Sequence, residues 1–254
     1  MTSAVTLIPL RGIKLVEPGD ELGGIAAAAF SANAIVPEPG DVLVVAQKIV
    51  SKAEGRYVDV TTVEPSERAV ALGAEVEKDP RFVEVVLSES RRVVRHRPGL
   101  LIVEHRLGFV MANAGIDHSN LPAQTGDRVL LLPEDPDGSA RALREQLVRA
   151  FGTDIAVIIC DSFGRPWRKG TVGIALGAAG LPSLIDLRGQ PDLFGRELLV
   201  TETGFADEIA AAAGLLMGQA DEAVPMVLVR GLRWSAPEVA AAALIRPAEH
   251  DLFR

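Results

Sequence analysis

Residues 156–170 read AVIICDSFGRPWRKG, and this stretch is the most informative in the chain. Its apolar run, Ala156–Cys160, has the composition of a buried strand, and we expect that strand to stop at Asp161. In α/β proteins, ligands collect at the carboxyl ends of strands, where side chains reach out of the core. Asp161 and Ser162, followed by a cluster of arginine and lysine, therefore suit a divalent metal that holds an anionic substrate such as a phosphate. A helix cap followed by a solvated basic loop fits this stretch equally well.

The sequence on either side of this stretch alternates between short apolar runs and helical patterns. Apolar residues from Ala140 to Phe151 have helical spacing, and Gly152 ends that helix. Thr171–Gly180 is rich in Gly and Ala, so that backbones or a ligand can approach closely there. The mixture of hairpins and strand–helix units favours an α+β fold over a purely doubly wound sheet. The other predicted strands are Val5–Leu10, Val42–Gln47, Leu100–Glu104, Phe109–Ala112, Val129–Leu132, Leu198–Thr203 and Met226–Val229, and the other predicted helices cover 20–30, 66–76, 80–88 and 207–217.

Composition restricts the class of protein. The chain has 254 residues, 48% of them hydrophobic, which is enough to bury the core of one large domain or two small ones. The net charge of −8 argues against nucleic acid as the main partner, because no face is expected to be uniformly basic. The single cysteine, Cys160, lies inside an apolar run and cannot form an internal disulfide, which predicts a cytoplasmic protein with an unreactive thiol. The first residues lack a secretory signal. The sequence has no run of about eighteen consecutive apolar residues, so we expect no membrane span and no membrane partner.

Several common signatures are absent from the sequence. The chain has no G-x-x-x-x-G-K-[ST] loop, no G-x-G-x-x-G after a strand, no G-x-S-x-G and no Cys/His metal spacing. Residues 164–171, GRPWRKGT, resemble the first of these only superficially, because the second glycine follows the lysine. P-loop enzymes, Rossmann dehydrogenases and serine hydrolases are therefore poorly supported.

A second polar loop, Asn113–Asn120 (NAGIDHSN), follows the predicted strand Phe109–Ala112. Its residue types predict a loop whatever the function, but it contains more oxygen ligands than a turn requires. Asp117 and Asp161 each lie just past an apolar strand, so neighbouring strands would let the two carboxylates share Mg²⁺ or Mn²⁺. His118 is expected at the surface or behind the ligands, because metals that bridge phosphates prefer oxygen.

Two further segments contain candidate residues. Gln47–Gly55 (QKIVSKAEG) follows a predicted strand, and its Lys52 is placed to act as a point charge on a phosphate. An exposed turn lysine is the simpler interpretation of that segment. Met217–Val224 (MGQADEAV) combines a helix end with a short loop whose backbone groups suit a nucleotide base or phosphate. A helix C-cap followed by an acidic turn is the alternative there.

Taken together, these segments resemble the coenzyme F420:L-glutamate ligase (F420-0:γ-glutamyl ligase) family over nearly the whole chain. Collinear matches of this length are more specific than any single motif. The matching segments are DVLVVAQKIVSKAEGR at 41–56, NAGIDHSN at 113–120, LLPEDPDGSA at 131–140, IICDSFGRPWRKGTVGIALGAAG at 158–180, GRELLVTETGFADEIAAAAGLLMG at 195–218 and VPMVLVRG at 224–231.

The resemblance implies a GTP-dependent amide ligase. Members of the family append L-glutamate to the phospholactate carboxylate of the deazaflavin F420-0 and then add a further glutamate through a γ-linkage. They use GTP, Mg²⁺ or Mn²⁺, and a monovalent cation, typically K⁺. The implied mechanism transfers a phosphoryl group from GTP to the substrate carboxylate, after which the glutamate amine attacks the acyl phosphate and releases phosphate.

The resemblance also implies roles for individual residues. Asp117 and Asp161 are implied ligands of a first metal, and together with Lys52 they form the expected catalytic set. Ser162 and Gln219 are implied at a second metal, where Gln219 replaces a glutamate of some relatives and is a weaker, neutral ligand. The implied GTP contacts are Ile13, Lys14, Leu15, Val16, Gln47, Lys52, Asn120, Met217, Gly218 and Gln219, and charge alone adds Arg165, Arg168 and Lys169 as expected anion contacts.

The family fold is an unusual α+β arrangement with mixed and antiparallel sheets, and it forms an intertwined homodimer whose nucleotide pocket lies near the subunit interface. We therefore expect a ligase domain over residues 1–245. The C-terminal stretch resembles the one that precedes a nitroreductase-like domain in two-domain actinobacterial relatives, so 246–254 is expected to be a tail or the start of a linker.

Two alternatives remain: a non-catalytic module that binds GTP or the deazaflavin, and the same scaffold ligating another carboxylate to another amino acid. Among the implied GTP contacts, Gln47 stands at a position where some relatives have a small hydroxyl residue.

Overall fold

A five-stranded mixed sheet forms the centre of the molecule in the computed structural model, which describes residues 4–118 and 127–252. In spatial order its strands are β1 (Thr6–Pro9), β12 (Met226–Arg230), β2 (Val42–Ala46), β8 (Ala156–Arg165) and β9 (Arg168–Ala179). β2 and β8 run parallel, with Ala46 opposite Cys160, and the other neighbours are antiparallel. The carboxyl ends of β2 and β8 therefore lie at the same edge of the sheet.

Helices cover both faces of this sheet. They are α1 (Leu22–Ala32), α2 (Gln47–Ala53), α5 (Pro136–Phe151) and α6 (Phe205–Met217). α1 and α5 pack on the face that contains Val157, and α6 packs on the face that contains Ile158. Successive side chains of a strand point to opposite faces, so the continuous apolar run of β8 is explained by burial on both sides.

A second apolar core lies within the segment 57–132. Its elements are β3 (Tyr57–Asp59), α3 (Glu67–Val76), α4 (Pro80–Ser88), β4 (Ser90–Arg97), β5 (Leu100–His105), β6 (Val110–Ala112) and β7 (Arg128–Leu130). β4, β5 and β6 form an antiparallel sheet, β3 pairs with β7, and α3 and α4 pack against them. Two very short strands, β10 (Ile185–Asp186) and β11 (Glu202–Thr203), pair farther along the chain.

The predicted α+β class is confirmed, with mixed and antiparallel sheets. The two helix starts predicted at Ser66 and Asp79 are also confirmed, because each side chain accepts a hydrogen bond from a backbone N–H of the first turn. Within the described ranges, no helix combines the length and apolarity needed to cross a membrane. The division of the chain at 245 and the dimer stay predictions.

The strand at the centre of the sequence argument is longer than predicted. β8 does not stop at Asp161 but continues to Arg165 and turns directly into β9, so the expected basic loop is instead the tip of a long hairpin. The extension is held by the β9 ladder and by Phe163, whose ring centroid lies 6.3 Å from that of Phe109. Similarly, Gln47 begins α2 rather than ending β2. Of the strand predicted at Leu198–Thr203, only β11 forms.

The predicted close approach at the Gly- and Ala-rich strand is confirmed. A Cβ atom at Gly177 would overlap the backbone of Pro136 at the start of α5. A Cβ atom at Gly173 would lie 2.6 Å from the carbonyl oxygen of Ala210 in α6. β9 therefore lets one helix approach each of its faces because glycine leaves room for their backbones.

Glu89 is the centre of a charged cluster between α4 and the hairpin of β5 and β6. Its Oε2 accepts hydrogen bonds from Arg56 Nη2 at 3.0 Å and Arg106 Nε at 3.1 Å, and His105 Nε2 lies 3.4 Å away. Burial raises the pKa of Glu89, but the bonds from His105 and Arg106 and the two arginine charges outweigh it and bring the pKa to about 2.

Glu89→Gln is expected to lower the free energy of unfolding by about 3 kcal/mol at pH 7. The folded pKa lies below the unfolded one, so this stabilisation is present above the unfolded pKa of 4.5 and is lost as the pH falls toward about 2. Urea unfolding at several pH values measures the difference between the two proteins. A difference that does not shrink between pH 6 and pH 3 would contradict the assignment.

Candidate functional site

The candidate site lies at the shared carboxyl edge of β2 and β8. α2 begins there directly after β2, and its first residue, Gln47, hydrogen-bonds the side chain of Asp161 from β8. Ser51, one helical turn later, donates to Gln47 Oε1 at 2.9 Å. Because its oxygen is engaged by Ser51, the Gln47 amide group presents its N–H to Asp161. Both Gln47 and Ser51 are buried, so the bond from Ser51 holds the Gln47 side chain in place beside the carboxylate.

Asp117 approaches the same edge from the second core. It follows a turn in which Asn113, Ala114 and Gly115 have φ values of 50°, 54° and 68°, all in the left-handed region. Its backbone then pairs with Leu130, donating and accepting hydrogen bonds of 2.9 Å. This pairing fixes the place of Asp117 relative to β7, and its side chain remains 27% exposed.

Two lysines of α2 face these carboxylates. Lys48 and Lys52 are four residues apart and lie on the same side of the helix. Lys48 Nζ lies 3.0 Å from Asp117 Oδ2. Lys52 is buried rather than an exposed turn lysine, so the simpler interpretation of its segment is wrong.

The charges of the site act on each other. Burial, the largest cause, raises the pKa of Asp161, and so does the charge of Asp117, while a backbone bond from Ser162, the charge of Lys48 and a bond from Gln47 lower it; the net pKa is about 6. Burial also lowers the pKa of Lys52, as does Lys48, whereas Asp117 raises it. The raised pKa means that the protein compensates the charge of Asp161 incompletely, so an additional cation would stabilise its ionised form.

Ser162 and the end of α6 form a neighbouring subsite. Ser162 Oγ donates to Gln219 Oε1 at 2.7 Å, and Cys160 Sγ lies 3.7 Å from Met217 Sδ. Cys160 and Ser162 point toward α6, whereas Asp161 points toward α2, because side chains alternate along β8. The structure thus joins the two residues predicted at a second metal, on the other side of the strand from Asp117.

The donor set fits a hard divalent cation that also binds substrate. Among residues 4–118 and 127–252, no three His, Cys, Asp or Glu side chains form a group able to hold a metal. Asp117 and Asp161 supply two carboxylates, and Mg²⁺ is commonly bound by one or two carboxylates together with substrate phosphates and waters. Ser162 and Gln219 supply only neutral oxygens, which makes theirs the weaker set.

The segment Ile13–Val16 lies between β1 and α1. Leu15 is exposed, Val16 is buried in the core of the sheet, and Lys14 forms a 2.7 Å ion pair with Asp20. The segment leads to Gly19, whose N–H donates to the carbonyl of Ala53 at the end of α2 at 2.8 Å. It therefore lies beside the helix that supplies the site lysines.

Not every predicted residue is brought to the carboxylates. The cations Arg165, Arg168 and Lys169 are exposed at the hairpin tip, where Arg165 Nη1 donates to the Gly170 carbonyl at 3.2 Å. Arg165 lies four residues after Asp161 along β8, which corresponds to about 13 Å. Their expected contact with an anion stays a prediction. Asn120 lies outside the described residues.

Lys48 and Ser51 are site residues that were not predicted from the sequence, and Lys48 is the charged one. Its signal was the four-residue spacing to Lys52, which places two cations on one side of a helix. That signal was hidden because the sequence pattern predicted no helix after β2. His118 was expected at the surface or behind the ligands, and its ring centroid lies 5.1 Å from that of Phe82.

Comparison with known proteins gives one consistent result. The family model described as F420-0:Gamma-glutamyl ligase matches residues 12–231. The chain is 46% identical to "Coenzyme F420:L-glutamate ligase" of Methanopyrus kandleri, with 100% of this chain and 98% of the relative covered. It is 42% identical to the proteins of the same name from Methanothermobacter thermautotrophicus (98% and 99% covered) and Archaeoglobus fulgidus (98% and 96% covered). The chain therefore belongs to the F420-0:gamma-glutamyl ligase family.

Proposed function

We propose that this protein ligates L-glutamate to coenzyme F420, forming an amide on the phospholactate carboxylate of F420-0 and then adding γ-linked glutamate. The relatives are named as ligases of L-glutamate to coenzyme F420, and the family match covers most of the chain, which supports the coarser part of this proposal. The observation that carries the proposal is the meeting of Asp117 and Asp161 with Lys48 and Lys52 at one sheet edge. Paired carboxylates and paired ammonium groups suit a metal and a polyphosphate in one place.

GTP is the proposed phosphoryl donor. Its terminal phosphoryl group passes to the substrate carboxylate, which gives an acyl phosphate and GDP. The glutamate amine then attacks the acyl carbon, its proton is lost, the carbon–oxygen bond to the phosphoryl group breaks, and phosphate leaves as the amide forms. Such chemistry requires placement and charge compensation more than covalent help from the protein.

Five residues of the site have a task in this scheme. Asp117 and Asp161 would hold Mg²⁺ or Mn²⁺, which when bound polarises the phosphoryl oxygens. Gln47 and Ser51 keep the Asp161 carboxylate oriented toward that position. Lys52, buried beside the carboxylates, offers a point charge to a phosphate oxygen.

The remaining contacts belong to the same proposal. Ser162 and Gln219 would hold a second metal, and the segments 13–16 and 217–224 would hold the nucleotide, as would Asn120. Arg165, Arg168 and Lys169 would meet anions at the hairpin tip. K⁺ is the proposed monovalent cation, with no residue assigned to it. Because Cys160 has no cysteine partner in the sequence, we also propose a cytoplasmic location.

A homodimer is proposed from exposed apolar side chains. Leu193, Phe194, Leu199 and Val200 are between 74% and 91% exposed around a short hairpin-like turn, and Trp167 at the tip of the β8–β9 hairpin is 87% exposed. Surfaces of this kind commonly mark contacts between proteins. Sedimentation equilibrium measures the assembly directly, and a purely monomeric species at micromolar concentration would overturn this part of the proposal.

Mass spectrometry of F420-0 incubated with the protein, L-glutamate, GTP, Mn²⁺ and K⁺ tests the function. We expect products heavier by one or more glutamyl units, with GDP and phosphate formed in step. Omission of GTP or of the divalent metal should remove these products. Unchanged F420-0 with a folded, GTP-binding protein would instead support a non-catalytic module, and products formed only from a different carboxylate or amino acid would show another ligase specificity.

A further inference from the structure

We propose that Lys48 is a built-in counter-ion, which neutralises the Asp117 carboxylate before a divalent metal binds and competes with that metal for it. The inference rests on the proposed function, which supplies the metal. Lys48 Nζ lies 3.0 Å from Asp117 Oδ2, and the two side chains are only 23% and 27% exposed. A partly buried ion pair of this kind is screened much less by solvent than a pair at the surface.

The position of Lys48 is not explained by the stability of its helix. It is the second residue of α2, and a cation in the first turn is disfavoured by the partial positive charge of the helix N-terminus. Lys52, in the last turn, is where a cation is favoured. The 3.0 Å ion pair with Asp117 offsets this unfavourable place.

The two carboxylates explain what Lys48 is needed for. Asp117 and Asp161 carry like charges that act on each other, and in the absence of a metal they repel. An ammonium group on Asp117 reduces that repulsion and keeps the pair in place. A metal ion on the same carboxylate must displace the ammonium group or tolerate a second positive charge beside it, and either requirement weakens the binding of the metal.

Binding of Mn²⁺ to the full chain, measured by electron paramagnetic resonance without nucleotide or F420, tests the proposal. Lys48→Met is expected to bind Mn²⁺ on the order of ten-fold more tightly than the unmodified protein. Lys48→Arg retains the counter-ion and is expected to bind no more tightly than the unmodified protein. Arg149→Met removes the same charge from an exposed side chain of α5, near the far end of β8, and is expected to leave binding within about two-fold.

The outcomes separate this proposal from the proposed function. If the unmodified protein binds Mn²⁺ and Lys48→Met binds it equally or more weakly, the counter-ion proposal is overturned while the metal site stands. If neither protein binds Mn²⁺ in the absence of nucleotide, the counter-ion proposal is overturned, and the same titration with GTP present decides whether the metal site stands. Lys48→Gln provides a second neutral variant should the methionine variant fail to fold, and the same tightening is expected from it.

Discussion

Asp161→Asn is expected to lower the rate of glutamate ligation by about a hundred- to a thousand-fold while leaving the protein folded. The asparagine retains the shape of the side chain but removes the negative charge that would hold a divalent cation beside Asp117. Ligation is measured by the rate of product formation in the mass-spectrometric assay. Loss of Mn²⁺ binding in the same variant would attribute the effect to the metal rather than to the nucleotide.

Although Asp161→Asn is expected to ligate more slowly, it is expected to be more stable than the unmodified protein. The folded pKa of Asp161 is raised from 3.8 to about 6, so the ionised form is disfavoured in the fold. Stability of the unmodified protein is therefore lost as the pH rises from 3.8 through 6, and Asp161→Asn avoids that loss. We expect the variant to be more stable by up to about 3 kcal/mol at pH 7 and nearly equal at pH 4.

Asp154→Asn is the matched control for both measurements. Asp154 precedes β8 at the opposite end of the strand, is 77% exposed and forms an ion pair with Arg144. It loses the same charge, and its effect on ligation is expected to be negligible. A fully active Asp161→Asn protein would remove Asp161 from the mechanism, whereas an unfolded one would show that its role is structural.

Gly177→Ala is expected to lower the free energy of unfolding by about 3 kcal/mol or more. The added Cβ would overlap backbone atoms of Pro136 and Asp137, which cannot rotate away as a flexible side chain would. α5 would have to shift at its first turn. That turn holds the Asp137 carboxylate, which accepts bonds from the backbone N–H groups of Ala178 at 2.8 Å and Ala241 at 2.9 Å.

Thermal and chemical unfolding measure the free energy lost in Gly177→Ala, and Gly214→Ala is the control variant. Gly214 lies inside α6 with no atom within 4 Å of an added Cβ, so alanine should stabilise the protein by up to about 1 kcal/mol. The two substitutions add the same methyl group and are expected to have opposite signs. A Gly177→Ala protein of unchanged stability would mean that α5 is not held against β9 as the structure shows.

Local signals in the sequence were sufficient to predict the helices that begin at caps. Ser66 and Asp79 cap α3 and α4 through neighbours within three residues, so no distant contact was needed. β4 was missed because its sequence, SRRVVRHR, is mostly charged and its strand state depends on pairing with β5. The hairpin tip was misassigned for a similar reason, since the ladder with β9 extends β8 past the end of its apolar run.

In the candidate site too, the contacts between distant segments could not be predicted from local sequence. Asp117 and Asp161 were both chosen as candidates, but the expected reason, neighbouring strands that end at each residue, is wrong, because β6 and β8 belong to different sheets and β8 continues past Asp161. The contact between Lys48 and Asp117 was not predictable, because it joins two residues that are distant in the chain and depends on the pairing of Asp117 with Leu130. The Gln47 bond to Asp161 likewise depends on the register of β2 against β8.

The order of strands in the central sheet has a consequence for synthesis of the chain on the ribosome. β1 is made before every other strand of this sheet, yet its partner in the sheet is β12, which also supplies one neighbour of β2. Both early strands therefore present unpaired edges until residue 230 has emerged. Sheets that depend on pairings between distant segments fold slowly. Until such a pairing forms, the unpaired strand edges are prone to aggregate and are available to chaperones.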